Sequence, residues 1–417
     1  MNDASTTIVR TYVSLTLFST FASSFIWGIN TLFLLDAGLS ITAAFAANAF
    51  FTAGQVFFEV PTGVVADTKG RRTSFLLGTA TLFVTTLAYL WLWQIKGPFW
   101  AWAIVSVLLG LGFTFFSGAT EAWLVDGLDS AGFGGELDNV FAKGSIASGI
   151  AMLTGTIAGG VVAQFSNLGV PYLMRVSALA VTFFIAYFLM HDEGFIPDKK
   201  SSISEEIKDV VRSSVEFGLK DAPVRWMMLS SIFTGGIAIY VFYAMQPYLL
   251  ELYGESNSYA VAGAAAAVVA GAQIVGGLLV PFARMIFRRR TTVVTVGILI
   301  STVALVGIAL ASSFWLVLLL LASWAIVFAS ISPVRQAYIN LLVPSKQRAT
   351  IISADNLLSS GGGSASQPVL GRVADAWGYP ASYFGSAIFQ ALALPFLLLA
   401  KRENADSDPI GEEGDVS

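Results

Sequence analysis

The sequence predicts an all-α membrane protein with twelve transmembrane helices arranged as two pseudo-symmetric six-helix bundles. Three observations carry this. Mean hydropathy is +0.73 over the chain, well beyond what a soluble core requires. Only 12% of residues are charged against 55% hydrophobic. The uncharged stretches are also long: Thr11 to Leu35, Thr73 to Ile95, Gly97 to Thr120, Trp226 to Leu250 and Ala376 to Ala400 each run at least 23 residues, and a helix needs about 20 to cross some 30 Å of hydrocarbon.

Longer runs hold two crossings each. Thr291 to Val334 has 44 residues without a charge, and Ser312-Ser313 marks a turn within it; Gly144 to Met174 is broken by SNLGVP at 166–171. Twelve spans follow, near residues 11–35, 41–66, 73–95, 98–126, 139–166, 170–191, 222–251, 257–286, 291–312, 314–343, 348–375 and 379–401. The first is too long for a signal-peptide core and lacks a cleavage pattern, so it reads as a retained span.

Orientation follows from the bases. With the amino terminus inside, only Lys96 and Arg372 fall outside, while the cytoplasmic loops collect nearly all other Lys and Arg residues. The positive-inside rule then puts both termini in the cytoplasm of an inner or plasma membrane protein. The longest loop, 192–221, separates bundles 1–191 and 222–402. Its Ile203, Ile207, Val210, Val211 and Val215 recur at helical spacing among charges, which fits an amphipathic helix on the membrane face or a solvated linker. The acidic tail, 403–417, carries six acids and no base and reads as disordered and solvated.

Between spans two and three lies GVVADTKGRR, residues 63–72. Asp67 ends one helix and Arg71 and Arg72 open the next, each at the dipole end that repels it. The stretch matches the GxxADxxGR[RK] signature at Gly63, Ala66, Asp67, Gly70, Arg71 and Arg72, and with the six-plus-six layout the chain resembles the major facilitator superfamily, whose members move small solutes by alternating access. The resemblance implies a conformational latch: the acid meets the start of span eleven, here Arg348-Ala349, and an arginine meets an acid ending span four, here Asp126. The plainer reading is a positive-inside anchor with a glycine turn.

GRVADAWG, residues 371–378, echoes the motif at the end of span eleven. It is either an inverted-repeat counterpart or chance recurrence. FARMIFRRR, residues 282–290, stands at the parallel repeat and keeps the bases without the acid.

Charges inside spans are functional candidates. Glu59, Glu121 and Asp355 are the proton-coupling candidates, Asp355 being equally suited to capping or structural pairing. Asn48, Gln55 and Glu59 share one helical face. Arg335 aligns within one residue of the counterpart of Glu121 in the other half, so a Glu121 to Arg335 contact is expected. Arg175 is expected to snorkel to headgroups. By resemblance, the substrate cavity takes Trp27, Asn30, Phe115, Tyr240, Tyr243, Gln246, Trp324 and Tyr338 together with Asn48, Gln55 and Arg335. Their mostly apolar, aromatic character favours amphiphilic cargo. Gly155, Gly159 and Gly160 in span five are spaced for close helix approach. GTIAGG resembles the GPxxGG segment of drug/proton antiporters without its proline.

Cysteine is absent, which excludes disulfides and thiolate chemistry. There is a single histidine and no GxxxxGK[ST] loop, so neither an enzyme nor direct ATP drive is expected. No metal, cofactor or nucleic acid is implied. The expected function is proton-coupled efflux of amphiphilic small molecules by a monomer in the lipid bilayer. The alternatives are a proton symporter importing a polar solute and a non-transporting receptor or scaffold on the same fold.

Overall fold

The computed structural model describes residues 3–116, 118–197, 208, 212, 214–344 and 347–410. Among these residues the chain is helical, its one extended pairing an isolated bridge between Arg289 and Pro409. Most of the expected amphipathic pattern of the central loop lies outside the described residues, as do 411–417.

Apolar length makes the spans and local chemistry ends them. Among the described residues ten helices are long and apolar enough to cross a membrane, eleven if Asp3–Trp27 and Asn30–Asp36, bent by 49°, form one broken span. The run Thr350–Arg402 has 53 residues, about 80 Å of helix and far more than a bilayer's thickness. It turns at Gly378, whose φ of 82° and ψ of 169° no helix contains, so it divides into expected spans eleven and twelve. Leu137–Phe165 and Gly169–Leu189 are separated within SNLGVP, and Arg290–Leu310 and Phe314–Leu342 at 311–313. Span four is broken into Phe99–Thr114 and Ala119–Ser130, with Gly118 at φ 70° beginning the second piece. Large apolar side chains on the outer faces, among them Phe57, Trp315 and Leu310, are more than 70% exposed. Such surface is costly in water and neutral in lipid.

Two compact units make up the chain: Met1–Leu39 with Phe50–Glu206 and Ser256–Ala267, and Ser40–Ala49 with Ile207–Glu255 and Val268–Ser417. The first half of the sequence therefore lends Ser40–Ala49 to the second unit, and the second half lends Ser256–Ala267 to the first. In the first unit Asp3–Trp27 packs along Leu137–Phe165 and Gly169–Leu189, and Arg71–Ile95 packs on Phe99–Thr114. The glycines of span five permit this: a Cβ on Gly155 would stand 2.8 Å from Ser24 Cβ, and one on Gly159 would strike the carbonyl of Phe25. In the second unit Ala222–Tyr253 packs along Arg348–Ala391 over a core that includes Met227, Met228, Tyr338, Ile351 and Leu397.

Arg175 does not snorkel: it is 2% exposed, donating from Nε to Thr86 Oγ1 at 3.0 Å and from Nη1 to the Ala22 carbonyl at 3.2 Å, with its guanidinium over the Phe113 ring. Buried hydrogen-bond acceptors on neighbouring helices solvate the cation in place of headgroups. Nor is the described part of the tail solvated throughout: Glu403, Asn404 and Asp406 are exposed, but Ser407 and Asp408 are buried. Asp408 is 2% exposed, and its Oδ1 accepts from Thr291 N at 2.8 Å. Arg290 Nη1 donates to the carbonyls of Ser407 and Pro409 at 2.7 and 2.6 Å. Of the bases of FARMIFRRR, Arg289 and Arg290 stand at the start of span nine, where the helix dipole disfavours them, and Arg289 Nη1 lies 3.9 Å from the Asp408 carboxylate of the tail.

Candidate functional site

The Ile41–Lys69 helix stops because Gly70 takes φ 104° and ψ 151°, a conformation that a side-chain-bearing residue adopts only under strain. A new helix starts at Arg71. The glycine is required a second time, since a Cβ there would collide with the Asp192 carboxylate. Asp67 and Arg71 form an ion pair across this break. Each offsets the other's unfavourable dipole position, so the two misplaced charges answer one another within the loop. Arg71 Nε also lies 3.8 Å from Asp126 Oδ2. Arg72 is engaged differently: its guanidinium donates to the Tyr187 carbonyl at 2.7 Å and its backbone N to Asp192 Oδ1 at 2.8 Å. Gly63 faces open space. Arg348 Nε donates to the Val343 carbonyl at 3.2 Å.

Asp192 is a residue sequence reasoning missed. It lies just beyond span six and caps span three, as Asp408, just beyond span twelve, caps span nine. Each half thus closes with an aspartate on the start of its third span. Hints existed in the bases opening spans three and nine, which leave helix N-termini without a capping side chain of their own.

Arg335 is held by Asp355. Nη1 donates to Oδ2 at 2.5 Å and Nη2 to Oδ1 at 2.6 Å, a two-pronged pair, and Nη2 also reaches the Met227 carbonyl at 2.9 Å. The expected partner for Arg335 was Glu121; its guanidinium is instead matched by the acid of span eleven, whose geometry satisfies two donors at once. The side chains are 17% and 9% exposed. They border a cavity of about 150 Å³ inside the second unit, with hydroxyls of Ser230, Ser231, Thr234 and Ser332 on its wall. This is room for a few waters. Glu59 is half-buried, and Glu121 is exposed.

The expected cavity residues divide. Tyr240, Gln246, Trp324 and Tyr338 are at most 1% exposed, packed in the second unit in this conformation; Trp324 stacks on Phe328 at 5.4 Å. Asn48 is buried in the same unit, and Tyr243 is half-buried there. In the first unit Asn30 accepts a hydrogen bond from the Tyr172 hydroxyl at 2.9 Å, while Trp27, Gln55 and Phe115 are half-buried. Among the described residues no cluster of three or more His, Asp and Glu side chains is arranged to hold a metal.

Two units of apolar helices with a few engaged intramembrane charges define a polytopic helical membrane protein. The chain belongs to the Major Facilitator Superfamily, whose sequence profile matches residues 12–366 and, in a second alignment, 279–416. Among solved structures it is similar to the nucleoside transporter NupG, at 14% identity and a TM-score of 0.74, covering 95% of this chain and 99% of that one. A bacterial homologue of the human lysosomal transporter Spinster matches at 16% identity and a TM-score of 0.71, covering 99% and 100%. A D-xylose-proton symporter matches at 15% and 0.68, covering 94% and 96%. No curated protein sequence matches significantly.

Proposed function

We propose that the protein is a proton-coupled secondary transporter that works by alternating access, with both termini in the cytoplasm of an inner or plasma membrane and a non-anionic amphiphile as exported cargo. The observation that carries the reading is the Arg335–Asp355 pair beside a water-sized, hydroxyl-lined cavity. A membrane-embedded acid is expensive unless matched, and one matched by an arginine next to water has a route by which a proton can reach it. Engagement of Arg335 by Asp355 leaves that cation neutralised, which disfavours anionic cargo. The half-buried Trp27, Phe115 and Tyr243 supply aromatic surface for an amphiphile. Glu59 and Glu121 remain the alternative proton carriers. Asp67, Arg71 and Asp126, clustered within the first unit, serve as a cytoplasmic latch when Asp67 meets the start of span eleven at Arg348.

A second reading, import of a polar solute with protons, is favoured by the hydroxyls of Ser230, Ser231, Thr234 and Ser332. Proteoliposomes enclosing a pH-sensitive dye separate the two when challenged with a panel of lipophilic cations, neutral aromatics, sugars and nucleosides. Export predicts proton flow opposite to an amphiphile, and import predicts flow with a polar solute. Proton flow preserved in Asp355→Asn but lost in Glu59→Gln or Glu121→Gln would reassign the carrier. No proton movement with any member of the panel would remove coupling from the reading.

A further inference from the structure

The start of span one, the second piece of span four and the end of span six leave a cavity of about 290 Å³ between them in the first unit. Its walls follow from the local sequence. Asp3 and Thr7 stand on the first turns of Asp3–Trp27, where the Thr7 hydroxyl donates to the Asp3 carbonyl at 2.9 Å. With no side chain at Gly127 the floor stays open, since a Cβ there would already stand 3.5 Å from Ile8 Cδ1. Beyond span six, Gly194 takes φ 79°, and a Cβ on it would lie 2.6 Å from the Asp126 carbonyl. Only a glycine turns easily this close to another helix. Trp123 Nε1 donates to the His191 carbonyl at 2.7 Å. These two contacts hold the end of span six against span four and bring His191 and Glu193 to the cavity that Asp3 lines.

The chemistry of the lining selects an occupant. The floor is apolar, with Ile8 at 9% and Trp123 at 2% exposed. Asp3, His191 and Glu193 are exposed at the edge, and no lysine or arginine is among the described lining residues. A carbonyl only accepts, so His191 Nδ1, 3.3 Å from the Leu189 carbonyl, is the donor of that contact; in the neutral ring Nε2 is then an acceptor. Two carboxylates and an imidazole lone pair thus await a positively charged hydrogen-bond donor. Among the described residues no three such groups converge to hold a metal ion, whereas an organic cation needs no tight convergence. A phospholipid headgroup fits poorly, because its phosphate would find no base in the lining. Ligand pockets span about 300–1,000 Å³, so this volume suits a single ring or a short chain.

We propose that the cavity is a binding site for a small organic monocation, an ammonium carried on one ring or a short hydrocarbon chain. Asp3 and Glu193 pair with the ammonium, and Ile8, Trp123 and Leu189 receive the apolar part. The site lies wholly within the first unit, apart from the Arg335–Asp355 cavity of the second, and it does not depend on the transport reading.

Because the native chain lacks cysteine, Ala4→Cys places one reporter at the exposed edge of the cavity. The purified protein in detergent is labelled with a maleimide in the presence of 2-phenylethylamine. Benzoate and benzyl alcohol serve as anionic and neutral probes of similar size, and phosphoethanolamine as the headgroup probe. The expected result is labelling slowed by 2-phenylethylamine alone, while the exposed control Asn139→Cys keeps its rate. With Asp3→Asn and Glu193→Gln together, the concentration giving half protection should rise about fivefold, since two exposed ion pairs contribute a factor of about two to three each. Thr7→Trp, which places an indole at the edge, should abolish protection. No protection in the millimolar range, equal protection by benzoate, benzyl alcohol or phosphoethanolamine, or an unchanged half-protection concentration in the two-acid variant would overturn the proposal. If Thr7→Trp does not fold, the two-acid variant, altered only at exposed positions, decides alone.

Discussion

Removing the Asp355 carboxylate tests how much of the second unit depends on one intramembrane pair. In Asp355→Leu the Arg335 guanidinium loses two charge-assisted bonds, at 2.5 and 2.6 Å, and keeps the Met227 carbonyl at 2.9 Å. Two such bonds sum to roughly 3–6 kcal/mol, and breaking a buried pair on one side costs about 3–5 kcal/mol. Water in the adjoining cavity of about 150 Å³ can solvate the stranded cation, so the low end, about 3 kcal/mol, is expected. For a cooperative unit of about 200 residues this lowers the unfolding midpoint by about 6–12 °C. Arg335→Met with Asp355→Leu should recover most of the loss, since no unpaired charge remains. The assay is thermal unfolding of the purified protein in detergent for both single variants and the double. A midpoint within 2 °C of native for Asp355→Leu, or a double variant as unstable as the two singles combined, would refute the reasoning.

Gly70→Ala should destabilise the first unit by at least about 2 kcal/mol, because the backbone conformation is strained for alanine and the added methyl meets Asp192; adding Asp192→Ala relieves only the steric part, and an unfolding midpoint unchanged in Gly70→Ala contradicts the account. Asp408→Ala should cost about 1–2 kcal/mol as a lost cap and accelerate amide exchange at Arg290 and Thr291, whose backbone N–H groups the tail holds; native exchange there would show that the tail does not hold span nine. Gly159→Leu should abolish assembly of the first unit, since its side chain would displace the Phe25 carbonyl; normal yield and monodisperse elution would contradict the close packing of spans one and five.

The features legible in the sequence were those that depend on residues near one another in the chain. The break within SNLGVP, the turn at 311–313 and the glycine at position 70 follow from hydropathy, turn chemistry and backbone freedom, and the structure has each of them. The proximity of Arg71 to Asp126 follows the signature's implication, whereas the pairing of Arg71 with Asp67 differs from the expected approach of Asp67 to the start of span eleven. Asp192 was not legible, because it reaches Arg72 across 120 positions. The solvated reading of the tail went wrong for a related reason: acidic composition describes a segment without partners, and the start of span nine supplies partners to Asp408 across 117 positions.

By itself the sequence determined that the chain is a bundle of apolar helices, roughly where its spans lie though not the breaks within spans one and four, and which few charges enter the membrane. Only the tertiary structure decided the company those charges keep: Arg335 with Asp355, Arg175 among carbonyl and hydroxyl oxygens, and Asp375 on the start of the Ile41–Lys69 helix. The physical reason is that partition into lipid acts on each segment alone, residue by residue. Matching a buried charge or an open helix end requires a second group that folding alone brings within 3 Å.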